Sequence, residues 1–213
     1  MEITILCTDA SHPVNRLLVP WAARHAEHRV SIVRSRSELP GGDILFLVSC
    51  AELVRAQERA LYGVCLVLHA SALPLGRGWS PHIWQLLEGA RRITLTLLEA
   101  EDKVDSGRIW QRMDFDVPPD ALWDEINERL FAAEMELMDV AVNEYGCLTP
   151  QEQDATLPPT YYQKRTPEDS RISSEKSIAS QFDAIRVCDP ERYPAFFELR
   201  GCRYKLVLEK MHD

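Results

Sequence analysis

Among the side chains of this 213-residue chain, His69 and Asp105 are the pair best suited to shared proton chemistry. His69 closes the run Val67-Leu68-His69-Ala70-Ser71, and Asp105 opens an Asp105-Ser106-Gly107 turn. An imidazole beside a carboxylate can hold and relay a proton, work that contributes about 10²–10⁴-fold to a rate. Between them runs Leu73-Pro74-Leu75-Gly76-Arg77-Gly78-Trp79-Ser80-Pro81, whose two glycines permit close approach of a ligand to the backbone. Arg77 can grip a diphosphate through charge-assisted bonds. Trp79 offers an aromatic face for stacking, and Tyr161 and Tyr162 can line the same cleft. Each of these residues also has a plainer reading. A strand-end histidine is more often structural, Asp-Ser-Gly more often a turn, Arg77 equally a surface cation, and Trp79 or the tyrosines equally packing groups. Spacing alone favours the plainer readings for His69 and Asp105.

The elements that must position these residues follow from apolar periodicity. Strands are expected over 3–7, 30–33, 43–48, 64–68 and 93–98, and an edge strand over 108–117. The run Asp43-Ile44-Leu45-Phe46-Leu47-Val48 is apolar enough to be buried on both faces. Helices are expected over 14–25, with Leu17, Leu18 and Trp21 on one face, and over 51–60. A third should start at Ser80-Pro81, a capping residue followed by proline, and end at Gly89. A long helix after Pro118-Pro119-Asp120 should bury Leu122, Ile126, Leu130, Ala133, Leu137 and Ala141, leaving Asp124, Glu125, Glu128 and Glu136 solvated. The alternation predicts an α/β fold, a doubly wound, mostly parallel sheet. Ligands bind such sheets at the carboxyl ends of strands, where His69 stands. Residues 1–150 are expected to form the catalytic domain. Residues 151–213 are expected to pack on it as an extension: a connection over 151–160, a helix over 175–187 and a terminal hairpin turning at Arg200-Gly201.

Composition narrows the partners. A formal net charge of -9 lacks the basic footprint that phosphate backbones demand, so no nucleic-acid partner is expected. No apolar run is long enough for a membrane span, and residues 3–7 do not read as a signal peptide. Six cysteines without a C-x-x-C pair fit a reducing, cytoplasmic setting. His12, His25 and His28 lack a third ligand at useful spacing and read as surface residues, so no metal is expected.

Region 63–107 resembles the folate-dependent formyltransferases. That family carries a histidine in an N-L-H-P-S-like run, then L-L-P-x-x-R-G, then an aspartate in a D-x-G turn. Here stand Leu68-His69-Ala70-Ser71, Leu73-Pro74, Arg77-Gly78 and Asp105-Ser106-Gly107, with Arg165-Thr166-Pro167-Glu168-Asp169 resembling a later R-x-P-E-D segment. The likeness runs from the third strand to about residue 172. Gly76-Arg77-Gly78-Trp79-Ser80-Pro81 and Leu97-Leu98-Glu99-Ala100 look closest to bacterial nucleotide-sugar N-formyltransferases, the pseudaminic acid branch among them.

The resemblance implies a Rossmann-like formyltransferase fold and 10-formyltetrahydrofolate as formyl donor, without a metal. The acceptor it implies is the amine of a nucleotide-linked amino sugar in bacterial surface-glycan synthesis. It makes His69 the group that stabilises the developing negative charge and Asp105 the group that orients His69 and helps take the amine proton. It places the pterin against Ser49, Cys50 and Leu53 and against Ala100, Glu101, Asp102 and Val104. It places the substrate against Arg77, Gly78, Trp79, Ser80 and Tyr161. The short tail is expected to set the chain apart from the tRNA enzyme, with its further C-terminal domain. The alternatives are formylation of an aminoacyl-tRNA or a carrier-bound amino acid, or a catalytically inactive folate- or nucleotide-binding relative. A homodimer is left open. One departure matters: Val67 stands where the family has an asparagine, and losing one such donor typically costs roughly 2.7–4 kcal/mol.

Overall fold

In a computed structural model that describes residues 1–211, the apolar runs become strands and the amphipathic stretches pack over them. In chain order the elements are β1 (Glu2–Leu6), α1 (Asn15–Arg24), β2 (Arg29–Val33), β3 (Gly42–Leu47), α2 (Ala56–Arg59), β4 (Tyr62–His69) and β5 (Arg77–Gly78). Then come α3 (Pro81–Leu87), β6 (Arg92–Glu99), β7 (Ile109–Asp116), α4 (Trp123–Asn143), β8 (Tyr161–Tyr162), α5 (Phe182–Arg186), β9 (Ala195–Leu199) and β10 (Cys202–Leu206). Six strands form one sheet in the order β2-β1-β3-β4-β6-β7. The first four run parallel, β6 runs antiparallel to β4, and β7 antiparallel to β6. This is the mixed α/β, mostly parallel architecture that the alternation predicts.

Period two along each strand divides the core between the sheet's faces. One face carries Ile3, Ile5, Ile44, Phe46, Leu66, Leu95 and Leu97. The long helices cover it through Leu18 and Trp21 of α1, Leu86 of α3, and Ile126, Leu130 and Leu137 of α4. The other face holds Leu6, Leu45 and Cys65 with Val54 and Tyr62, and beside them Leu98, Ile109 and Leu73 with Val67. His69 and Val67, two residues apart on β4, share this second face, where short segments rather than long helices do the covering.

Three expected helices come out shorter. Residues 51–55 stay irregular before α2. There Ala51 N donates to Thr8 Oγ1 and the Cys50 thiol to Glu52 O, tying the segment to the end of β1 and to itself, and Val54 turns inward. The helix expected over 175–187 is reduced to a turn at Ala179–Gln181 followed by α5. Gln181 donates to Ser173 O and accepts from Ser173 N, satisfying groups outside a helix. The long helix starts at Trp123, where Glu125 accepts from Leu122 N. α3 does start at Pro81, but Ser80 is left-handed (φ 47) and its side chain caps nothing.

The chain after residue 150 is tied to the sheet. Gln151 exchanges backbone bonds with Ile109, and β8 pairs with β5. The buried Arg186 donates to Ala121 O (2.9 Å) and Pro118 O (3.3 Å). β9 and β10 form the hairpin turning at Arg200-Gly201, both in positive φ. No helix among the described residues is long and apolar enough to cross a membrane.

Candidate active site

The last residue of β4 is His69, paired with Thr96 of β6 and with a side chain 7% exposed. Its Nε2 lies 2.8 Å from Gly76 O and its Nδ1 3.5 Å from Asp105 Oδ1. A carbonyl only accepts, so this geometry assigns a proton to Nε2. Nδ1 faces a carboxylate, so a second proton on this ring has a partner waiting. The 3.5 Å separation is long for a hydrogen bond, as catalytic contacts often are before substrate tightens them.

Asp105 reaches His69 by a route the strand-end argument does not supply. Because β6 is antiparallel to β4, the carboxyl ends of the two strands point to opposite ends of the sheet. The carboxylate arrives through the loop 100–108, which passes back beside β6: Glu99 N donates to Arg108 O. Asp105 itself is left-handed (φ 54), a conformation that costs a non-glycine residue about 1–3 kcal/mol and is found at functional sites. Its Oδ2 accepts from Gly78 N at 2.8 Å. Gly78 is obligatory there: its φ is 102, and a Cβ would lie 2.3 Å from Tyr162 O.

A segment read from sequence as a mere connection holds this loop pair. Thr160 accepts from Gly76 N through Oγ1 and from Arg77 N through its carbonyl. Gln153 donates from Nε2 to Asp105 O and Gly107 O and accepts from Arg77 Nη2. No sequence signal beyond proximity to the R-x-P-E-D-like segment marks these residues. That segment itself is a turn in which Asp169 accepts from Thr166 N and Oγ1.

The structure separates the expected substrate residues. Arg77, expected on the cleft wall, is only 6% exposed, and its guanidinium is turned to Gln153 and, at 3.4 Å, to the Tyr161 hydroxyl. Gly78 and Ser80 contribute backbone turns. Trp79 is 45% exposed with the Lys164 ammonium 4.7 Å from its ring centre, and Tyr161 is 56% exposed. Tyr162 stacks on Trp84 and donates to Glu88.

Of the expected cofactor residues, Cys50 and Ala100 pack against one cluster, which brings the end of β3 and the loop after β6 together. Ser49 is left-handed, with Oγ 3.3 Å from His12 Nε2. Burial pushes the Cys50 thiol up to about 11, so it is an inert apolar group at neutral pH. Leu53 and Val104 are more than half exposed, leaving apolar surface that an aromatic ring would cover. Asp102 pairs with Arg59, and Glu101 is exposed. Beside them, Glu101, Asp102, Lys103, Ser106, Gly107, Arg108 and Glu152 line an open groove of about 380 Å³.

Three histidines alter the sequence reading. His12, expected at the surface, packs edge-on against Phe131, accepts from Val14 N through Nδ1, and is pushed down to about 4 by burial and by the Arg192 charge. His82, which sequence did not single out, is pushed down to about 4 by burial and by nearby His69, Arg165 and His12. Both are neutral at neutral pH. His25 stacks on Trp21 and lies 3.3 Å from Asp139, so it too is more enclosed than expected. No group of three or more His, Cys, Asp or Glu able to hold a metal is found among the described residues.

Residues 9–142, more than half of the chain, match the family described as formyl transferase. A methionyl-tRNA formyltransferase of Sulfurimonas denitrificans is 26% identical over 97% of this chain and 72% of its own length. Two further curated methionyl-tRNA formyltransferases are spanned over only 46% and 35% of their lengths. Among solved structures, a methionyl-tRNA formyltransferase from Clostridium thermocellum is similar at TM-score 0.83 and 22% identity, over 100% of this chain and 94% of that one. A sugar N-formyltransferase from a Shewanella species is similar at TM-score 0.74 and 12% identity, over 100% and 99%. Likenesses at these identities show a shared fold.

Proposed function

Because the chain belongs to the formyl transferase family, we propose that it moves a formyl group from 10-formyltetrahydrofolate to the amine of a nucleotide-linked amino sugar. The observation that carries the reading is the pairing of His69 and Asp105, side chains 7% and 6% exposed, in a pocket of turns at the end of β4. The bound folate supplies the formyl carbon. The residues that would hold it are Leu53 and Val104 against its ring and the backbone at Ser49, Cys50 and Ala100 to Val104 against its polar edge.

Asp105 is held by Gly78 N–H, and it in turn orients the Nδ1 side of His69. The proton leaving the acceptor amine is held between His69 Nδ1 and Asp105 Oδ1. Val67 offers no hydrogen bond and packs against Leu73, Leu98 and Ile109. The donor the site itself offers to the formyl oxygen is therefore His69 Nε2–H, exchanged from Gly76 O.

The acceptor reading is supported by Trp79, an exposed ring with a cation over it, which suits a base stacked beside a phosphate. The net charge of -9 disfavours a large polyanion. The pseudaminic acid branch and a surface-glycan role rest on the Gly76 to Pro81 loop. A cytoplasmic site of action fits six cysteines that are all free. The second reading is an aminoacyl-tRNA acceptor, favoured by the names of the curated relatives. Specificity constants separate the two. Formylation of charged initiator tRNA should fall well below that of at least one nucleotide-linked amino sugar, and a tRNA value equal to or above every sugar would reverse the assignment.

A further inference from the structure

We propose that Gln153 is a positioning residue for Asp105, acting on its backbone rather than on substrate. The proposal rests on the reading of His69 and Asp105 as the working pair. A carboxamide has two donors and one acceptor oxygen, and here all three directions are used. Nε2 donates to Asp105 O at 2.8 Å and to Gly107 O at 2.9 Å, while Oε1 accepts from Arg77 Nη2 at 2.6 Å. The amide orientation is unambiguous, because two carbonyls can only accept and a guanidinium can only donate.

Arg77 is built to keep Gln153 in this pose. It is 6% exposed, and among the described residues no carboxylate lies within ion-pair distance of it and its Nε has no partner. The Gln153 oxygen at 2.6 Å is therefore its closest acceptor. The other end of the strut is fixed two residues earlier, where Gln151 and Ile109 exchange backbone bonds of 2.7 and 2.8 Å.

The consequence falls on a residue in a costly backbone state. Asp105 has a φ of 54, so its left-handed turn must be held by its surroundings. Gly78 N holds the carboxylate and Gln153 holds the carbonyl, so both ends of Asp105 are fixed and Oδ1 is aimed at His69 Nδ1.

The deciding variant is Gln153→Glu. Its carboxylate keeps and strengthens the Arg77 contact but presents no N–H to either loop carbonyl. The fold should survive with an unchanged circular dichroism spectrum, while the loop 100–108 loses its clamp and its two carbonyls face an oxygen that cannot donate. Two measurements are made on the full chain. Formyl transfer should show kcat reduced about tenfold or more with both KM values within about threefold, the split expected of misplaced machinery. Amide hydrogen exchange should accelerate in residues 100–108 and nowhere else. Unchanged kcat in an active background overturns the proposal, and so does unchanged exchange in the loop. If the parent transfers no formyl group, the functional reading fails, and loop exchange alone decides whether Gln153 is the clamp.

Discussion

Val67 stands where the family pattern implies an asparagine, and the structure gives the position a physical character. It sits two residues before His69 on the same face of β4, against Leu73, Leu98 and Ile109, two of them under 2% exposed. An amide placed there would meet methyl and methylene groups. Val67 is half-buried, so Val67→Asn should lower stability by up to about 1–3 kcal/mol, the cost of a polar group left unsatisfied against this cluster, and leave kcat no higher. A chemical melt and a steady-state assay check both halves. A kcat gain of about tenfold or more, equivalent to about 1.36 kcal/mol, would instead mark the parent site as impaired. At this scale, what sequence made legible were residues whose type implies chemistry: His69 and Asp105. Arg77 was legible as important but not in its role, because burial inverts what a guanidinium can do. Gln153, Thr160 and His82 were illegible. An amide, a hydroxyl and a helix-start histidine carry no signal until the fold brings them to a site.

The loop 100–108 is the element on which the site depends. Its tightest point is Gly107, buried, where a Cβ would fall 2.0 Å from Glu99 O on the neighbouring strand. Gly107→Ala must push the loop off β6 and carry Asp105 with it. The expected outcome is a kcat reduced at least about tenfold together with a lower melting temperature, since backbone rather than a flexible side chain must give way. Full activity in that variant would show that the loop tolerates movement and that Asp105 is not held by it. The apolar runs mark β1, β3 and β4 because buried parallel strands are continuously apolar, while β2, at the sheet edge, is only partly buried. Sequence could not show that β6 is antiparallel, since periodicity carries no direction. His69 was thus placed correctly by the strand-end rule, and Asp105 reached the same place through a long loop instead. The shortened helices have a common cause. At Cys50 and Gln181 side chains satisfy nearby backbone groups, and at Thr8 a distant hydroxyl satisfies Ala51 N, none of which propensity anticipates.

Across the whole molecule, one buried carboxyl couples folding to pH. Glu134 of α4 is 7% exposed, its Oε2 has no hydrogen-bond partner, and burial pushes it up to about 8 from 4.5. The sequence reading placed other acids of α4 on the solvated face and passed over this one. A folded-state value above the unfolded one means that stability is fully present below about 4.5 and is lost as pH rises through about 8. Gln at this position carries no charge at any pH. Relative to the parent, Glu134→Gln should therefore gain at least about 1 kcal/mol of stability between pH 5 and pH 9, read from urea melts at both values. An equal difference at the two pH values would show that Glu134 is not titrating in the fold. The same global fold must also perform one reaction, and its central claim is testable directly. The measurement is formyl transfer by the parent, His69→Asn and Asp105→Asn, using 10-formyltetrahydrofolate and a panel of nucleotide-linked amino sugars with products read by mass. The parent should add one formyl group to at least one sugar amine, and each variant should be slower by about 10²–10⁴-fold while keeping its circular dichroism. No formylated sugar from the parent, or near-parental rates in both folded variants, would contradict the account.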